Sequence, residues 1–255
     1  MLKDFRKRIG KLGMRLGKKV VWGLDSMFGR ASKIGNQPWF DAKDFPWIAD
    51  IEKDWQVILG ELQPLLAHRE HLPNFQDLSP DQRYITKDDG WKTVFFWAYG
   101  LKTFGNCKRC PETAKILKRI PGMKTAMFSI FAPQKSIPGH RGPFKGVLRY
   151  HLALVVPEPA KDCGIRVGEE VRHWEAGKSL VFDDTYDHEA WNNTDGVRVV
   201  LFVDFIRPMR FPASLINRTL IWMIALSPFV LGGAGKQLAW EKRFEKVVNE
   251  EREAA

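Results

Sequence analysis

The chain has 255 residues, a formal net charge of +10 and three cysteines. Its length is that of one domain with appendages, which is enough to bury a single sizeable core. Cys107 and Cys110 form a C-x-x-C pair, but Cys163 lies far downstream, so a structural zinc site lacks its second pair. No thioredoxin-like setting surrounds the motif, and we therefore expect free thiols in a reducing cytoplasm.

The positive charge is concentrated in a basic N-terminal segment, defined as residues 1–34. Residues 1–19 hold eight Lys or Arg against Asp4 alone, a net charge of +7 that leaves +3 for the rest of the chain. Apolar residues recur there at helical spacing, which predicts a basic amphipathic helix: Leu2, Phe5, Ile9, Leu12, Leu16 and Val20. Such a helix favours an anionic membrane surface, with packing on the domain as the alternative. Nucleic acid is not expected, because aromatic residues are not interleaved with the cations.

Residues 35–89 are predicted to support the core with helix and loop. Between residues 47 and 66 the apolar residues have helical spacing. Residues 73–89 form a polar loop that either borders a substrate opening or is an ordinary surface loop.

Residues 90–210 are predicted to form a mainly β core. Residues 90–100 and 124–131 are predicted strands, and residues 111–120 are a predicted helix. Between residues 140 and 207 the apolar runs are short, rich in Val, Leu and Phe, and bounded by Gly, Pro, Asp or Asn. This pattern indicates buried strands separated by turns, and so a sandwich or barrel.

Residues 211–255 are predicted to form apolar and amphipathic helices. Residues 220–231 are apolar, but they number about half of the roughly twenty residues needed to span a bilayer, and Pro228 interrupts them. They either pack on the core or dip into a membrane surface. Residues 236–253 have the spacing of an amphipathic helix.

Five polar side chains interrupt the apolar core pattern: His140, Arg149, His151, His188 and Arg198. Arg149 and His151 lie two residues apart on one predicted strand, so they share a face. A buried cation there needs a partner, and an anionic ligand is the simplest one. His140 and His188 lie near two different strands, which allows them to meet at a metal ion in a jelly roll.

The usual non-haem iron site adds a carboxylate two residues after the first histidine, where this chain has Gly142. Four stretches, GHRGP, LRYHLALVVP, EVRHWEAGKSLVFDDTYDHEAWN and VRVVLFVDFIRP, resemble the aspartyl/asparaginyl β-hydroxylase family of iron(II)- and 2-oxoglutarate-dependent dioxygenases. The resemblance is dense from residue 90 to residue 208. It implies a double-stranded β-helix, or jelly roll, with flanking N- and C-terminal helices. In the protein hydroxylases of that family, glycine replaces the triad carboxylate.

The resemblance also implies roles for individual residues. His140 and His188 would be the iron ligands, and Arg198 would hold the distal carboxylate of 2-oxoglutarate, a contact that suits the bidentate guanidinium. Further cosubstrate-binding positions are matched by Arg149, His151 and Ser129. The implied reaction uses Fe(II), 2-oxoglutarate and O₂ to hydroxylate an unactivated carbon, with release of succinate and carbon dioxide.

Other polar residues have plainer interpretations. His173 is expected to be structural. Asp183 and Asp184 are expected to shape a turn, with Asp184 as an alternative metal ligand or as a hydrogen-bond partner of a histidine.

The substrate class is less sharply defined, because peptide and lipid members of the family share these motifs. The basic N-terminal segment, the apolar residues 220–231 and the absence of a helical repeat region favour a membrane-lipid acyl chain. We expect hydroxylation at the cytoplasmic face of a bacterial membrane, next to the acyl carbonyl. Peptidyl aspartate or asparagine β-hydroxylation is the second hypothesis, and a non-catalytic 2-oxoglutarate-binding module is the third.

Overall fold

The structure is a computed structural model that describes residues 23–79 and 82–254. The amphipathic helix predicted over residues 2–20 lies outside the described residues. Residues 23–31 are helical and form α1.

Two antiparallel β-sheets form the centre of the protein. The larger sheet contains, in spatial order, β1 (Trp39–Phe40), β9 (Ser179–Phe182), β6 (Val147–Val155), β11 (Arg198–Ile206), β4 (Met123–Phe131), β2 (Trp91–Ala98) and β3 (Leu101–Lys102). The smaller sheet contains β5 (Lys135–His140), β10 (His188–Asn192), β7 (Cys163–Val167) and β8 (Glu170–His173). Apolar side chains of both sheets share one buried cluster, so the sheets pack face to face. The predicted jelly roll is confirmed.

Strand β11 shows why the core sequence is almost continuously apolar. Successive side chains of a strand point to opposite faces. Val199, Leu201 and Val203 pack against a helical layer, whereas Val200 and Phe202 face the smaller sheet. The larger sheet is therefore covered on both sides, and the polar residues on its inner face need a specific explanation.

The other helices are α2 (Trp47–Glu52), α3 (Trp55–Ala67), α4 (Phe75–Leu78), α5 (Phe104–Arg109), α6 (Pro111–Leu117), α7 (Ala213–Ala225) and α8 (Pro228–Ala254). The helical spacing of residues 47–66 is confirmed, but the region forms two helices, α2 and α3, separated by Lys53 and Asp54. Asp54 is the N-cap residue of α3, yet its side chain makes no capping hydrogen bond and pairs with Arg119 instead. The helix predicted over residues 111–120 is confirmed as α6, which ends at Leu117. The strands predicted over residues 90–100 and 124–131 are β2 and β4.

The C-terminal region also differs from its prediction. Residues 220–231 are not one element, because α7 ends at Ala225 and Pro228 begins α8, where its fixed φ and missing N–H suit the first helical turn. Helix α8 consequently starts eight residues before the predicted position 236. Among the described residues, no single helix is long and apolar enough to cross a membrane; α7 together with residues 230–246 of α8 passes that test only as a pair bent by 46°.

A small apolar cluster joins the two ends of the described chain. Phe28 of α1 packs with Phe144, Met209 and Ile221, so α1 lies against the buried side of α7. Cys107, Cys110 and Cys163 are buried free thiols, as predicted. Burial raises the pKa of Cys107 to about 11 and that of Cys110 to about 12, which keeps both thiols protonated and unreactive near neutrality.

Candidate active site

His140 and His188 lie side by side on the smaller sheet. They are directly opposite each other in the antiparallel β5–β10 pair, and the centroids of their rings are 4.1 Å apart. The strand pairing therefore brings together two histidines that are distant in sequence, as predicted.

Both imidazoles are oriented by backbone carbonyls. Nδ1 of His140 is 2.9 Å from the oxygen of Pro138, and Nδ1 of His188 is 3.0 Å from the oxygen of Tyr186. Nδ1 donates in each pair, which leaves the Nε2 lone pair available. Burial lowers the pKa of His140, while burial, His140 and Arg149 lower the pKa of His188 to about 3. Two neutral imidazoles with oriented rings are suitable ligands for a transition metal.

Gly142 lies against the carboxylate of Asp184. A Cβ added to Gly142 would be 2.2 Å from Oδ2 of Asp184, so no side chain fits there while Asp184 keeps its position. The Gly142 amide donates to the Asp184 carbonyl oxygen at 2.7 Å, which fixes the two segments together. In residues 23–79 and 82–254, no group of three or more His, Cys, Asp or Glu side chains is arranged to hold a metal ion. His140 and His188 stay the two candidate metal ligands that the family resemblance implies.

Arg149 has protein partners, which the sequence argument did not anticipate. Its Nε donates to Oδ1 of Asp204 at 2.9 Å, and its Nη2 is 2.8 Å from Oδ2 of Asp184. The inference that the Arg149 charge requires an anionic ligand is therefore wrong, because two carboxylates already neutralise it. Its assignment as a cosubstrate-binding residue stays a prediction.

Arg198 is in the opposite situation. It is 2% exposed, and its guanidinium lies between the rings of Phe131 and Trp174 at 3.7 and 4.6 Å. Among the described residues, Arg198 donates a single long hydrogen bond, 3.4 Å, from Nη1 to the backbone oxygen of Ser129, and its Nε has no partner. Burial lowers the pKa of Arg198 to about 10. A buried guanidinium without a carboxylate is the arrangement expected of an anion-binding site.

His151 and Ser129 lie on the same inner face as Arg198. Neither ring nitrogen of His151 has a hydrogen-bond partner in the described part of the chain, although the side chain is buried. The His151 ring packs near Trp174 and Phe182, at centroid distances of 6.1 and 5.0 Å. Ser129 Oγ accepts from Nε1 of Trp91 at 3.0 Å. Unsatisfied polar atoms thus gather in the interior between the sheets.

A cavity of about 400 Å³ opens beside His140, the ring neighbour of His188. Its polar lining includes His140, Arg149 and Asp184. Its walls are mostly apolar and include Phe75, Trp91, Phe95, Met127, Phe144 and Phe202. Helices α4 and α8 contribute further walls, so the loop predicted over residues 73–89 does border the opening. The volume is typical of a small-ligand pocket.

The remaining sequence interpretations have mixed outcomes. His173 is structural, as predicted, since its Nδ1 is 3.1 Å from the Cys163 oxygen. Asp183 shapes a turn by accepting from Thr185, but it is also fully buried and pairs with Arg207 and Lys145. Asp184 contacts Arg149 rather than a histidine, and it lines the cavity.

Sequence reasoning missed Asp204, Trp174 and the α8 wall of the cavity. Asp204 is the one acidic residue in the apolar sequence of β11. An acidic residue in such a strand could have indicated a buried ion pair. Its partner could be identified only from the strand register, which places Asp204 opposite Arg149. Nothing in the α8 sequence indicates contact with a cavity.

The residues present fit an iron(II) ion with a dicarboxylate. Two adjacent, oriented imidazoles offer Nε2 atoms, with His140 at the cavity wall, and the unpaired atoms of Arg198 and His151 would suit a bound anion. Two aromatic rings lie between the histidine pair and Arg198: Phe182 is next to both His151 and His188, and Trp174 is next to both His151 and Arg198.

The family model described as Aspartyl/Asparaginyl beta-hydroxylase matches residues 52–208. The chain is 48% identical over 225 residues to the ornithine lipid ester-linked acyl 2-hydroxylase of Rhizobium tropici, a match that covers 88% of this chain and 80% of that protein. It is 29% identical to the aspartyl/asparaginyl beta-hydroxylase of Homo sapiens over 69% of this chain, and it spans only 23% of that protein.

Solved structures show weaker likenesses. A Pseudomonas putida prolyl-4-hydroxylase is 16% identical with a TM-score of 0.42, covering 61% of this chain and 87% of that one. A Cupin 2 conserved barrel domain protein from Salinispora arenicola is 12% identical with a TM-score of 0.32, covering 55% of this chain and 92% of that one. Because the family model matches residues 52–208 and the Rhizobium tropici relative aligns with 88% of this chain, the chain belongs to the aspartyl/asparaginyl β-hydroxylase family, a family of hydroxylases.

Proposed function

We propose that the protein is an iron(II)- and 2-oxoglutarate-dependent dioxygenase that hydroxylates an acyl chain of a membrane lipid at its cytoplasmic face. The observation that supports this most directly is a pair of adjacent, carbonyl-oriented histidines, of which His140 lines a largely apolar cavity, together with a buried arginine that lacks a carboxylate partner. Each feature supports a different part of the proposal: the metal, the organic substrate and the cosubstrate.

The chain's own residues have definable roles in this reaction. His140 and His188 would hold iron(II) through Nε2, and Arg198 would bind the distal carboxylate of 2-oxoglutarate. Bound iron with 2-oxoglutarate and O₂ supplies the oxidising chemistry that inserts oxygen into a C–H bond and yields succinate and carbon dioxide. Ser129 and His151 would complete the cosubstrate site, while Phe131 and Trp174 exclude water from Arg198 and thereby strengthen its contact with a carboxylate.

Arg149 contributes as an organising residue in this scheme. Bound by Asp184 and Asp204, it holds Asp184 against Gly142 and so keeps the cavity wall next to His140 in one position. The ring of Phe202 stacks under its guanidinium at 4.2 Å, which keeps that wall apolar towards the substrate.

Lipid is favoured as the substrate for two reasons. The Rhizobium tropici relative, which aligns with most of this chain, is named as acting on the ester-linked acyl group of ornithine lipid. The cavity wall is also largely aromatic and aliphatic, which suits a hydrocarbon chain. The name of that relative favours the carbon next to the acyl carbonyl as the position hydroxylated.

A peptide substrate is the second candidate. The exposed Arg141 lines the cavity beside His140 and would suit the carboxylate of an aspartyl side chain. The human relative supports this candidate by name, although the chain spans less than a quarter of it.

The experiment measures succinate formation by protein that was loaded with iron(II) anaerobically and then given 2-oxoglutarate and oxygen, with total membrane lipid added or omitted. Lipid extracts are compared by mass for the gain of one oxygen atom. His188→Ala is the site variant, and His173→Ala is its matched control, because His173 is a structural histidine away from the cavity.

We expect lipid-stimulated succinate formation and an oxygen-sized mass shift that His188→Ala abolishes and His173→Ala preserves. Turnover without any lipid response, but with hydroxylation of an acidic peptide, would replace the lipid substrate with the peptide. Binding of 2-oxoglutarate without succinate formation under any condition would contradict the enzyme and favour a binding module.

A further inference from the structure

Helix α7 carries apolar residues on both of its faces. Ala213, Asn217 and Ile221, spaced four apart, are buried against the domain. The opposite side and its flanks form what we define as the α7 apolar face: Phe211, Leu215, Ile216, Trp222, Met223 and Leu226. These six are half of the twelve exposed large apolar side chains in residues 23–79 and 82–254, and Trp222 alone is 64% exposed. Such a concentration marks an interaction surface rather than chance exposure.

The α7 apolar face continues towards the cavity opening. Leu231 and Leu238 of α8 are exposed and lie seven residues apart, so they share one side of that helix. Leu238 also lines the cavity, as does the exposed Phe104 of α5. Exposed apolar residues thus occur on α7 and on α8, and Leu238 of α8 reaches the cavity lining. On the inner side, Phe144 and Val147 belong both to the cavity wall and to the cluster under α7.

The charge around this surface has one sign. Residues 205–240 contain no Asp or Glu, whereas Arg210, Arg218 and Lys236 are exposed there. Residues 1–19, which precede α1 in the sequence, carry a net charge of +7. The exposed surface that residues 205–240 contribute around the α7 apolar face is therefore positively charged.

We propose that the α7 apolar face docks into an anionic lipid bilayer and brings the cavity opening to the membrane surface. A bilayer of anionic lipids matches both properties at once, because its interface accepts Trp and aliphatic side chains while its head groups attract Arg and Lys. A second copy of the chain would present the same positive charge and be repelled. This inference rests on the proposed lipid substrate for its purpose, although membrane binding is measured independently of turnover.

The test uses the full chain and co-sedimentation with vesicles of phosphatidylcholine, with and without phosphatidylglycerol. The docking variant is Leu215→Ser with Trp222→Ser. Its matched control is Val57→Ser with Val171→Ser, two exposed apolar residues on α3 and β8 away from this surface. All four positions are exposed, so both variants should keep the thermal stability of the wild type.

We expect the wild type to bind vesicles that contain phosphatidylglycerol, and the docking variant to bind them about tenfold or more weakly, while the control binds normally. High ionic strength should weaken wild-type binding without abolishing it, since apolar contacts are not screened. Equal binding by all three proteins would overturn the proposal. So would a wild-type dimer, seen by analytical ultracentrifugation, that the docking variant dissociates without any change in vesicle binding.

Measuring hydroxylation rates distinguishes a wrong docking proposal from a wrong proposed function. With lipid dispersed in detergent, the docking variant should hydroxylate at the wild-type rate, and with the same lipid in vesicles it should be at least about tenfold slower. Suppose that no protein hydroxylates lipid, but the docking variant still binds vesicles more weakly than the wild type. That result would support the docking proposal and reject the lipid substrate.

Discussion

Two fully buried guanidinium groups, those of Arg207 and Arg198, differ in whether a carboxylate neutralises their charge. Arg207 is paired with Asp183 and also donates to the Lys145 oxygen at 2.8 Å, so its charge is neutralised within the fold. Arg198, equally buried, stacks on two aromatic rings and has no carboxylate. The first is a structural ion pair, whereas the second carries a desolvation cost that the two rings offset in part and that a bound anion would offset further.

This contrast predicts the effect of Arg198→Met, which keeps an unbranched apolar side chain between Phe131 and Trp174. We expect the affinity for 2-oxoglutarate to fall about 30-fold or more, because a desolvated charge pair is lost. The free energy of unfolding without ligand should not fall, because an uncompensated buried charge is also removed. Calorimetric titration and urea unfolding measure the two quantities. Arg172→Met, at a partly buried arginine on β8 that pairs with Glu170, should leave 2-oxoglutarate binding unchanged, and unaltered 2-oxoglutarate binding by Arg198→Met would contradict the assignment.

Asp204 allows a second comparison between similar ion pairs. Its carboxylate is 2.9 Å from Nε of Arg149 in a mostly buried setting, whereas Asp187 is 2.9 Å from Arg166 with 44% of its side chain exposed. Asp204→Asn should lower the free energy of unfolding by about 2 kcal/mol, because a charge-assisted hydrogen bond is lost away from water. Asp187→Asn should cost less than about 1 kcal/mol. Urea unfolding of the two variants decides the point, and equal losses would mean that burial does not strengthen the Arg149 pair.

At the scale of secondary-structure elements, strand register explains what sequence could and could not predict. The β-rich core was predictable from local apolar patterns, whereas the roles expected of His140, His188 and Arg198 came from the family resemblance. The partners of Arg149 were not predictable, because Asp204 lies opposite it only once β6 and β11 pair in the observed register. The break between α2 and α3 at Asp54 and the early start of α8 at Pro228 were also not predicted. At both positions the apolar residues on either side continue at helical spacing, so the sequence pattern gives no sign of a boundary.

Helix α8 caps α5 in a way that depends on a contact distant in sequence. Thr103, the N-cap residue of α5, makes no side-chain capping bond; instead Glu241 Oε1 accepts from the Asn106 amide at 3.3 Å. Glu241→Leu should therefore destabilise the protein by about 1 kcal/mol, a typical value for loss of a cap. Hydrogen exchange at the first amides of α5 should accelerate in the same variant.

The isosteric Glu241→Gln is the matched control for that prediction, because its amide oxygen still accepts from Asn106. It should retain most of the stability and protection. Exchange in α5 that is equally slow in Glu241→Leu and in the wild type would show that α5 does not depend on α8.

At the scale of the whole molecule, the layers of the fold determine where ligands bind. The larger sheet is covered by helices on its outer face and by the smaller sheet on its inner face, so the unsatisfied polar atoms of Arg198 and His151 are confined between two rigid sheets. The histidine pair is supplied by the smaller sheet and Arg198 by the larger one. A cosubstrate that contacts both would connect the two sheets.

Binding of metal and of 2-oxoglutarate should therefore be thermodynamically linked. Only two side chains are placed to hold the metal among the described residues, so metal alone should bind weakly, and saturating 2-oxoglutarate should tighten it by about tenfold or more. Thermodynamic linkage requires that bound metal raise the affinity for 2-oxoglutarate by the same factor. Anaerobic calorimetric titrations of each ligand, with and without the other, measure both factors.

Two variants test the assignment of the two sites. Arg198→Met should bind metal alone like the wild type but lose the coupling, whereas His188→Ala should lose metal binding itself. Equally tight metal binding with and without 2-oxoglutarate would contradict this scheme and require a third protein ligand.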